Sequence, residues 1–403
     1  MADNAKTKAN ALKILQVATF YAPVVGGMET QIEDLSKKLM EQGHQVEVLT
    51  TDAARGGKRV ERLTDEYDGL KVKRVPVLLS FTQFHKFAPG FFYELRQRDY
   101  DIVHVHGIRK PELYMALLWA KIRKKKIVVS THNPFTTVGR KRVIRMLLAL
   151  HDITVGWLFM RFVDHYFLLH ASERKILKQL GVNPKKTTVV GNAVQDEFFS
   201  EVTSSRDSFL QTFSLKQNYE RIVLAVGRLN EVKGFQNLQY AVENLPDTLF
   251  IVVGGDDGYA EKLKQIYADY DNIIFSETFL PREQLREYYR HADIFVLPSI
   301  HEPFGIVLLE AMAQHTAIIA SNNGGPVGIL NPEGDENIAR NASNYGVLVN
   351  PNNQELWYER IKLFVEDENL LRLYKNKAYK RVREFKWKNV FPKYLKVYNT
   401  LYT

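Results

Sequence analysis

The chain has no cysteine among its 403 residues, which excludes a disulfide framework, a thiolate metal site and a cysteine nucleophile. It has no long uninterrupted apolar run either. A bilayer-spanning helix needs about 20 mostly apolar residues, and the nearest stretch, residues 146–162, is broken by His151, Asp152, Thr154 and Arg161. Residues 1–10 are polar and lack the apolar centre of a secretory signal. Internal repeats and low-complexity segments are missing as well. The expectation is a cytoplasmic protein with no membrane span, peripheral at most to the inner face of a membrane.

What is present is an ordinary globular composition, 45% apolar, at a length that suggests two domains. Short apolar runs at 12–20, 46–51, 72–77, 102–106, 127–131, 166–169 and 187–190 alternate with helix-like stretches. After a polar segment at 195–219, a second series follows at 222–226, 249–253, 273–275, 294–297, 317–320 and 346–349. Such alternation implies parallel sheets in two doubly wound α/β domains. The divisions expected are 1–200, 201–385 and a last helix at 386–403 that returns to the first domain. The aromatic residues of the final stretch, among them Trp357, Phe364, Trp387, Tyr394 and Tyr398, read as packing positions.

Chemistry concentrates in the second half. Glu302 and Glu310 bracket a run that leaves the 294–297 strand and opens an apolar helix. In doubly wound domains ligands bind at the carboxyl ends of strands, where helix N-termini offer unpaired amides to anions. The amides of Gly305, Ile306 and Val307 are placed for a phosphate or sugar hydroxyl, and the two carboxylates for neutral hydroxyls. Arg228 and Lys233 follow the 222–226 strand and suit a diphosphate, one as a fork and the other as a compact charge. A plainer reading of that loop is a solvated turn with an Arg228–Glu231 ion pair.

Gly227-Arg228 with Lys233-Gly234, Pro298-Ser299, and the Glu-x7-Glu pair from Glu302-Pro303-Phe304-Gly305 to Glu310-Ala311-Met312-Ala313 resemble the retaining, nucleotide-sugar-dependent glycosyltransferases of family 4 (group 1). In the first half the likeness rests on Gly26-Gly27-Met28-Glu29, on residues 101–106 and on Ser130-Thr131-His132. The resemblance implies the GT-B architecture, two Rossmann-like domains facing across a cleft. It implies that Arg228 and Lys233 hold the donor diphosphate and stabilise the charge developing on it. Glu302 would hold the transferred sugar, Glu310 the ribose, and His132 would face the donor from the first domain. Gly26 and Gly27 would let backbone amides approach a phosphate. The family reaction retains anomeric configuration by a front-face path without a protein nucleophile, and no cofactor or metal is implied. His315, Ala317, Asn192–Gln195, Thr278 and Val327-Gly328 depart from the usual family pattern and leave the donor's base and sugar open.

The acceptor expected is a glycan or lipid-linked glycan. Alternatives are a nucleotide-sugar epimerase of the same architecture and an inactive module that binds membranes or anions. A retaining hydrolase would hold two carboxyl groups about 5–5.5 Å apart, which a pair spaced along a loop and helix does not suggest. No nucleic-acid motif is present.

Asp99-Tyr100-Asp101 and Asp269-Tyr270-Asp271 match a metal-binding pattern of another glycosyltransferase fold, but both flank strands where Asp commonly serves turns. His104 and His106 share a strand face without a third ligand in sight. The formal charge of +9 is unevenly placed, with nine Lys and Arg and no acid between residues 121 and 145. Lys124, Lys125 and Lys126 read as a solvated turn. Arg140, Lys141, Arg142 and Arg145 open an apolar stretch, which fits either an anionic membrane surface or a buried core helix with a basic cap.

Overall fold

The computed structural model describes residues 11–24, 26–81, 85–132, 142–332 and 345–402. The chain forms two compact units, residues 1–191 with 388–403 and residues 192–387. The first unit holds the strands β1 (Lys13–Val17), β2 (Gln45–Thr51), β3 (Thr64–Tyr67), β4 (Leu70–Val75), the short pair β5 (Leu79–Ser80) and β6 (Lys86–Phe87), then β7 (Ile102–His106), β8 (Lys126–Ser130), β9 (His165–Leu168) and β10 (Thr187–Val189). All but β5 and β6 join one sheet in the order β10-β9-β8-β7-β1-β2-β4-β3. Its pairings are parallel except that β3 runs antiparallel to β4.

The second unit contains β11 (Arg221–Val226), β12 (Thr248–Val253), β13 (Ile273–Ser276), β14 (Ile294–Leu297), β15 (Ala317–Ser321) and β16 (Val347–Val349). These form a wholly parallel sheet, β13-β12-β11-β14-β15-β16. The sheets explain the continuous apolar runs: strands covered by helices on both faces bury every residue, and β12 and β15 are buried along their whole length. In each sheet the strand order reverses at one place, between β1 and β7 and between β11 and β14. Ligands of doubly wound sheets bind at such switch points.

The polar stretch after residue 195 is packed rather than loose. Phe198 and Phe209 are buried there, and the Val194 N–H donates to the Phe385 carbonyl at 3.0 Å. That contact places residues 192–195 in the second unit. The helix Trp387–Tyr402 returns to the first unit, where Tyr394 and Tyr398 pack on Phe167 and the Tyr398 hydroxyl meets His104 Nδ1 at 2.7 Å.

The apolar stretch after residue 141 departs most from a core reading. Arg142–Met160 is one 19-residue helical segment, apolar and long enough to cross a membrane by length and composition, yet only 11% of its most apolar window is buried. None of the side chains of Arg142–His151 is buried. The basic-capped core helix is therefore not what forms.

Candidate functional site

Two loops at the switch point of the second unit carry the motif residues. The first leaves β11 and runs through Arg228 to a single 3-10 turn, Glu231–Lys233, which the Asn230 side chain caps by accepting from the Lys233 N–H. The second leaves β14 and ends at Gly305, whose φ of 91° starts the helix Ile306–Ala313. The Ile300 N–H donates to the Val232 carbonyl at 2.9 Å and joins the loops.

Glycine allows the contact to be this close. Gly234 lies at φ 71° against the Pro298 carbonyl, which any Cβ would strike. Gly324 at φ 60° lies against the Glu302 carbonyl, and Gly325 against the Phe304 backbone. The Gly325 N–H donates to that Glu302 carbonyl at 2.9 Å. Four strand-end loops are thus fixed around Glu302, because Gly254 similarly abuts the Gly227 carbonyl.

Within this frame Lys233 Nζ sits 2.6 Å from Glu302 Oε2, with side chains 18% and 10% exposed. A largely buried pair of this kind loses most when one partner is removed, since the other is left as an uncompensated charge. Arg228 pairs with Asp257 at 2.5 Å, not with Glu231, and Asn230 donates to the same carboxylate at 2.8 Å. Neighbouring Asp256 caps the next helix by accepting the N–H groups of Gly258, Tyr259 and Ala260, which lowers its pKa. The Gly254–Gly258 segment is therefore a strand-to-helix turn that also supplies the partner of Arg228. Glu310 accepts from the buried Tyr289 hydroxyl at 2.8 Å. The first-turn amides of Ile306 and Val307 lack intrahelical acceptors by helix geometry. The unit brings Arg228, Lys233, Glu302 and the Gly305–Val307 turn to one strand edge. Glu310 stands one turn further along the helix.

The remaining expected residues belong to the first unit. Gly26 is extended, at φ −178°, and precedes the helix Gly27–Glu41 after β1. Its backbone is a conformation any residue adopts, so no left-handed turn calls for glycine there. His132 follows β8 in a left-handed conformation, φ 49°. Its Nε2 meets His106 Nδ1 at 3.0 Å, and His106 Nε2 meets Gln16 Oε1 at 2.7 Å. Burial lowers the pKa of His132 to about 4 and holds His106 and His104 well below the usual imidazole range, with neighbouring imidazoles adding to the effect at both. Neutral rings give every bond in this chain one direction. When Gln16 accepts through its carbonyl, His132 donates to His106 and keeps a bare Nδ1; turning the Gln16 amide reverses both bonds. His104 is bonded through both ring nitrogens, to Tyr398 and to Ser130 at 2.8 Å. The His104–His106 pair is a packed hydrogen-bonding unit.

Sequence reasoning missed Asp257, Tyr289 and Gln16. Gln16 left a signal, a polar residue inside an otherwise apolar strand; Tyr289 left none, since its helix position reads as core. Both Asp-x-Asp matches are taken up by structural bonds, though to distant segments of the chain rather than to their own turns. Asp101 accepts from the Lys13 N–H and Asp271 pairs with Lys216. Among the described residues no group of three or more His, Asp or Glu gathers as a metal cage.

Two family models match the chain: Glycosyltransferase Family 4 over residues 25–198, and Glycosyl transferases group 1 over residues 208–381. An uncharacterized glycosyltransferase of Methanocaldococcus jannaschii is 25% identical, the match covering 96% of this chain and 98% of the relative. The phosphatidylinositol N-acetylglucosaminyltransferase gpi3 subunit of Schizosaccharomyces pombe is 26% identical over 78% of this chain and 67% of its own. Among solved structures, Anabaena HepE in complex with UDP-glucose superimposes with a TM-score of 0.74 at 18% identity, covering 96% of this chain and all of its own.

Proposed function

Because the chain belongs to the glycosyltransferases of the group 1, family 4 type, we propose that it moves a hexose from a nucleoside-diphosphate sugar to a glycan or lipid-linked acceptor, with retention of configuration. The observation that carries this reading is the pair of cations at the β11/β14 switch point, each held by a carboxylate of its own unit. An arriving diphosphate takes over Arg228 and Lys233. Glu302, freed from Lys233, then turns its acceptor oxygens to hydroxyls of the transferred sugar. Lys233 and Arg228 stabilise the negative charge that grows on the β-phosphate as the glycosidic bond breaks, the role preorganised cations play best in a water-poor site. The leaving phosphate accepts the acceptor's proton, so no protein nucleophile is needed. The first-turn amides at Gly305–Val307 add donors, and Glu310, steadied by Tyr289, takes ribose hydroxyls. Within the first unit, Gly26 and Gly27 offer backbone amides to an anion, and neutral His132 offers a hydrogen bond rather than a charge. The UDP-glucose bound by HepE supports a nucleotide-sugar donor, and the phosphatidylinositol named for the gpi3 relative supports a lipid-linked acceptor.

With two cations in the charge role a divalent metal would otherwise serve, the reaction runs without a metal or cofactor. The acceptor side is expected at an anionic membrane surface on the inner face, approached through Arg142 and Arg145. Arg140 and Lys141, expected to share that role, lie outside the described residues. The test is release of nucleoside diphosphate from labelled donor in excess chelator. Release that requires acceptor and survives the chelator is expected; interconversion of donor sugars without release would indicate an epimerase, and complete loss in chelator would overturn the metal-free mechanism.

A further inference from the structure

Among the described residues, the ties of the Arg142–Met160 segment to the first unit run along one side. Asp152 pairs with Arg109, whose Nε donates to it at 2.8 Å. His151 meets the Tyr114 hydroxyl at 2.6 Å, and Met160 is fully buried. These ties fall near or after a turn of π-helix, Asp152–Gly156, where an extra residue shifts the helix face. They hold the segment along the helix Pro111–Arg123. Its other side is bare: Val143, Met146, Leu147 and Ile153 are 60–69% exposed, and Trp157 and Leu158 each 47%. Leu118 and Ile122 on Pro111–Arg123 are also exposed, at 52% and 64%. An apolar surface this continuous outside the core marks an interaction site.

Cations stand at both ends of the strip. Arg142 and Arg145 lie at its start, and at its end Lys121, Lys124, Lys125 and Lys126 line a pocket of about 240 Å³ with Phe162 and Ile127. The Lys121 ammonium lies 4.8 Å over the Phe162 ring, and the Arg161 guanidinium 3.4 Å over Trp157. Asp164 also lines the pocket, with Oδ2 occupied by the Ile127 N–H at 2.9 Å, and Lys125 is paired with Asp99. Between residues 121 and 162 there are ten cationic residues and a single acid, Asp152. Arg142, Arg145, Lys121 and Lys124 make no ion pair among the described residues. The lysine cluster is thus the rim of a pocket beside an apolar face, not an isolated solvated turn.

The geometry points to a docking surface for an anionic lipid bilayer, on which Arg142–Met160 lies in the interfacial plane and the lysine pocket takes a lipid phosphate. This deepens, and for its biological purpose rests on, the lipid-linked acceptor proposed above. The charge selects the occupant: a second copy would bring the same cations against these, whereas anionic headgroups complement both ends of a segment about 28 Å long at 1.5 Å per residue. Apolar side chains enter the acyl boundary, and Trp157 with its stacked Arg161 suits the headgroup level. The ties to Arg109 and Tyr114 keep the segment lying on the surface rather than crossing it.

The test is co-sedimentation of the full chain with phosphatidylglycerol vesicles and with neutral phosphatidylcholine vesicles, at low and high salt. Binding to the anionic vesicles alone, reversed by salt, is expected. Lys121→Glu with Lys124→Glu should weaken it by more than about fivefold per charge removed, and Leu147→Asp with Ile153→Asp should abolish it. Both doubles change surface side chains, so unchanged melting temperatures confirm that the unit folds. No vesicle binding at low salt, binding untouched by these substitutions, or a dimer dispersed by Leu147→Asp without vesicle binding would each overturn the inference. So would a pocket that takes inorganic phosphate while the protein ignores vesicles. Thermal shifts with sugar nucleotides should be the same in wild type and both doubles, so a failed donor reading and a failed docking surface give different results.

Discussion

Two basic regions of this molecule differ in what their cations are paired with. At the β11/β14 switch point Arg228 and Lys233 are largely buried, and each is held by a carboxylate within its own unit. Along residues 121–162 Arg142, Arg145, Lys121 and Lys124 stand without ion pairs among the described residues, beside exposed apolar side chains. A partly buried cation needs a partner in the absence of ligand, and a carboxylate that can be displaced keeps it aimed at the place an anion will occupy. A solvated cation needs none, and its attraction reaches an extended charged surface through salt-screened water. The first arrangement fits one small, multiply charged ligand bound in a fixed geometry. The second fits a broad surface contacted without fixed geometry.

This contrast breaks most sharply at Lys233. Lys233→Ala should lower turnover by roughly 10²–10³, the scale for losing a preorganised charge-stabilising group, as read from steady-state release of nucleoside diphosphate. Unchanged turnover would remove Lys233 from the chemistry. A smaller effect separates loop geometry from charge. Gly324→Ala drives a Cβ into the Glu302 carbonyl, and overpacking of this kind costs about 1–3 kcal/mol on top of the backbone strain. At Gly258, also in the left-handed region at φ 87°, a Cβ meets nothing within 4 Å, so Gly258→Ala should cost only the left-handed penalty of about 1–2 kcal/mol. Equal melting temperatures for the two variants would show that the packed glycines do not hold the Glu302 loop.

The smallest effect concerns the first unit. A histidine whose pKa is lowered by folding binds its proton more weakly in the native state than in the unfolded chain, so stability is full above the unfolded value and is lost as pH falls. For His132 that window runs from about 6.5 down to about 4, and the buried His104 and His106 act in the same direction. Urea midpoints measured across that range should decline toward acid, and His106→Gln should flatten the decline. A flat profile in the wild type would mean that these rings are not neutral in the native state.

Much of the fold was legible because parallel strands buried on both faces read as plain apolar runs. β7 and β14 fall on the expected residues, and most other strands lie within one or two residues of them. β3, Thr64–Tyr67, escaped because an edge strand with half-exposed polar residues has no such run. The motif residues of the second unit were legible as types at strand ends. Their partners were not: Asp257 lies 29 positions from Arg228 and Glu302 lies 69 from Lys233, and only the sheet order brings them together. The 142–160 segment shows the opposite limit. Its composition announces an apolar helix, but periodicity cannot say whether the apolar side meets a core or faces outward, and the structure leaves it outward.

The central claim is that Arg228 and Lys233 exchange their carboxylates for a sugar-nucleotide diphosphate. The most direct measurement is a thermal-shift panel with UDP, GDP, ADP and their glucose, mannose and N-acetylglucosamine conjugates, run on wild type and Lys233→Ala, because a ligand of the native state raises apparent stability. The account predicts a selective rise with one nucleotide series that is lost or much reduced in Lys233→Ala. No rise with any of them at concentrations far above ordinary affinities, or a rise that Lys233→Ala leaves intact, would contradict it.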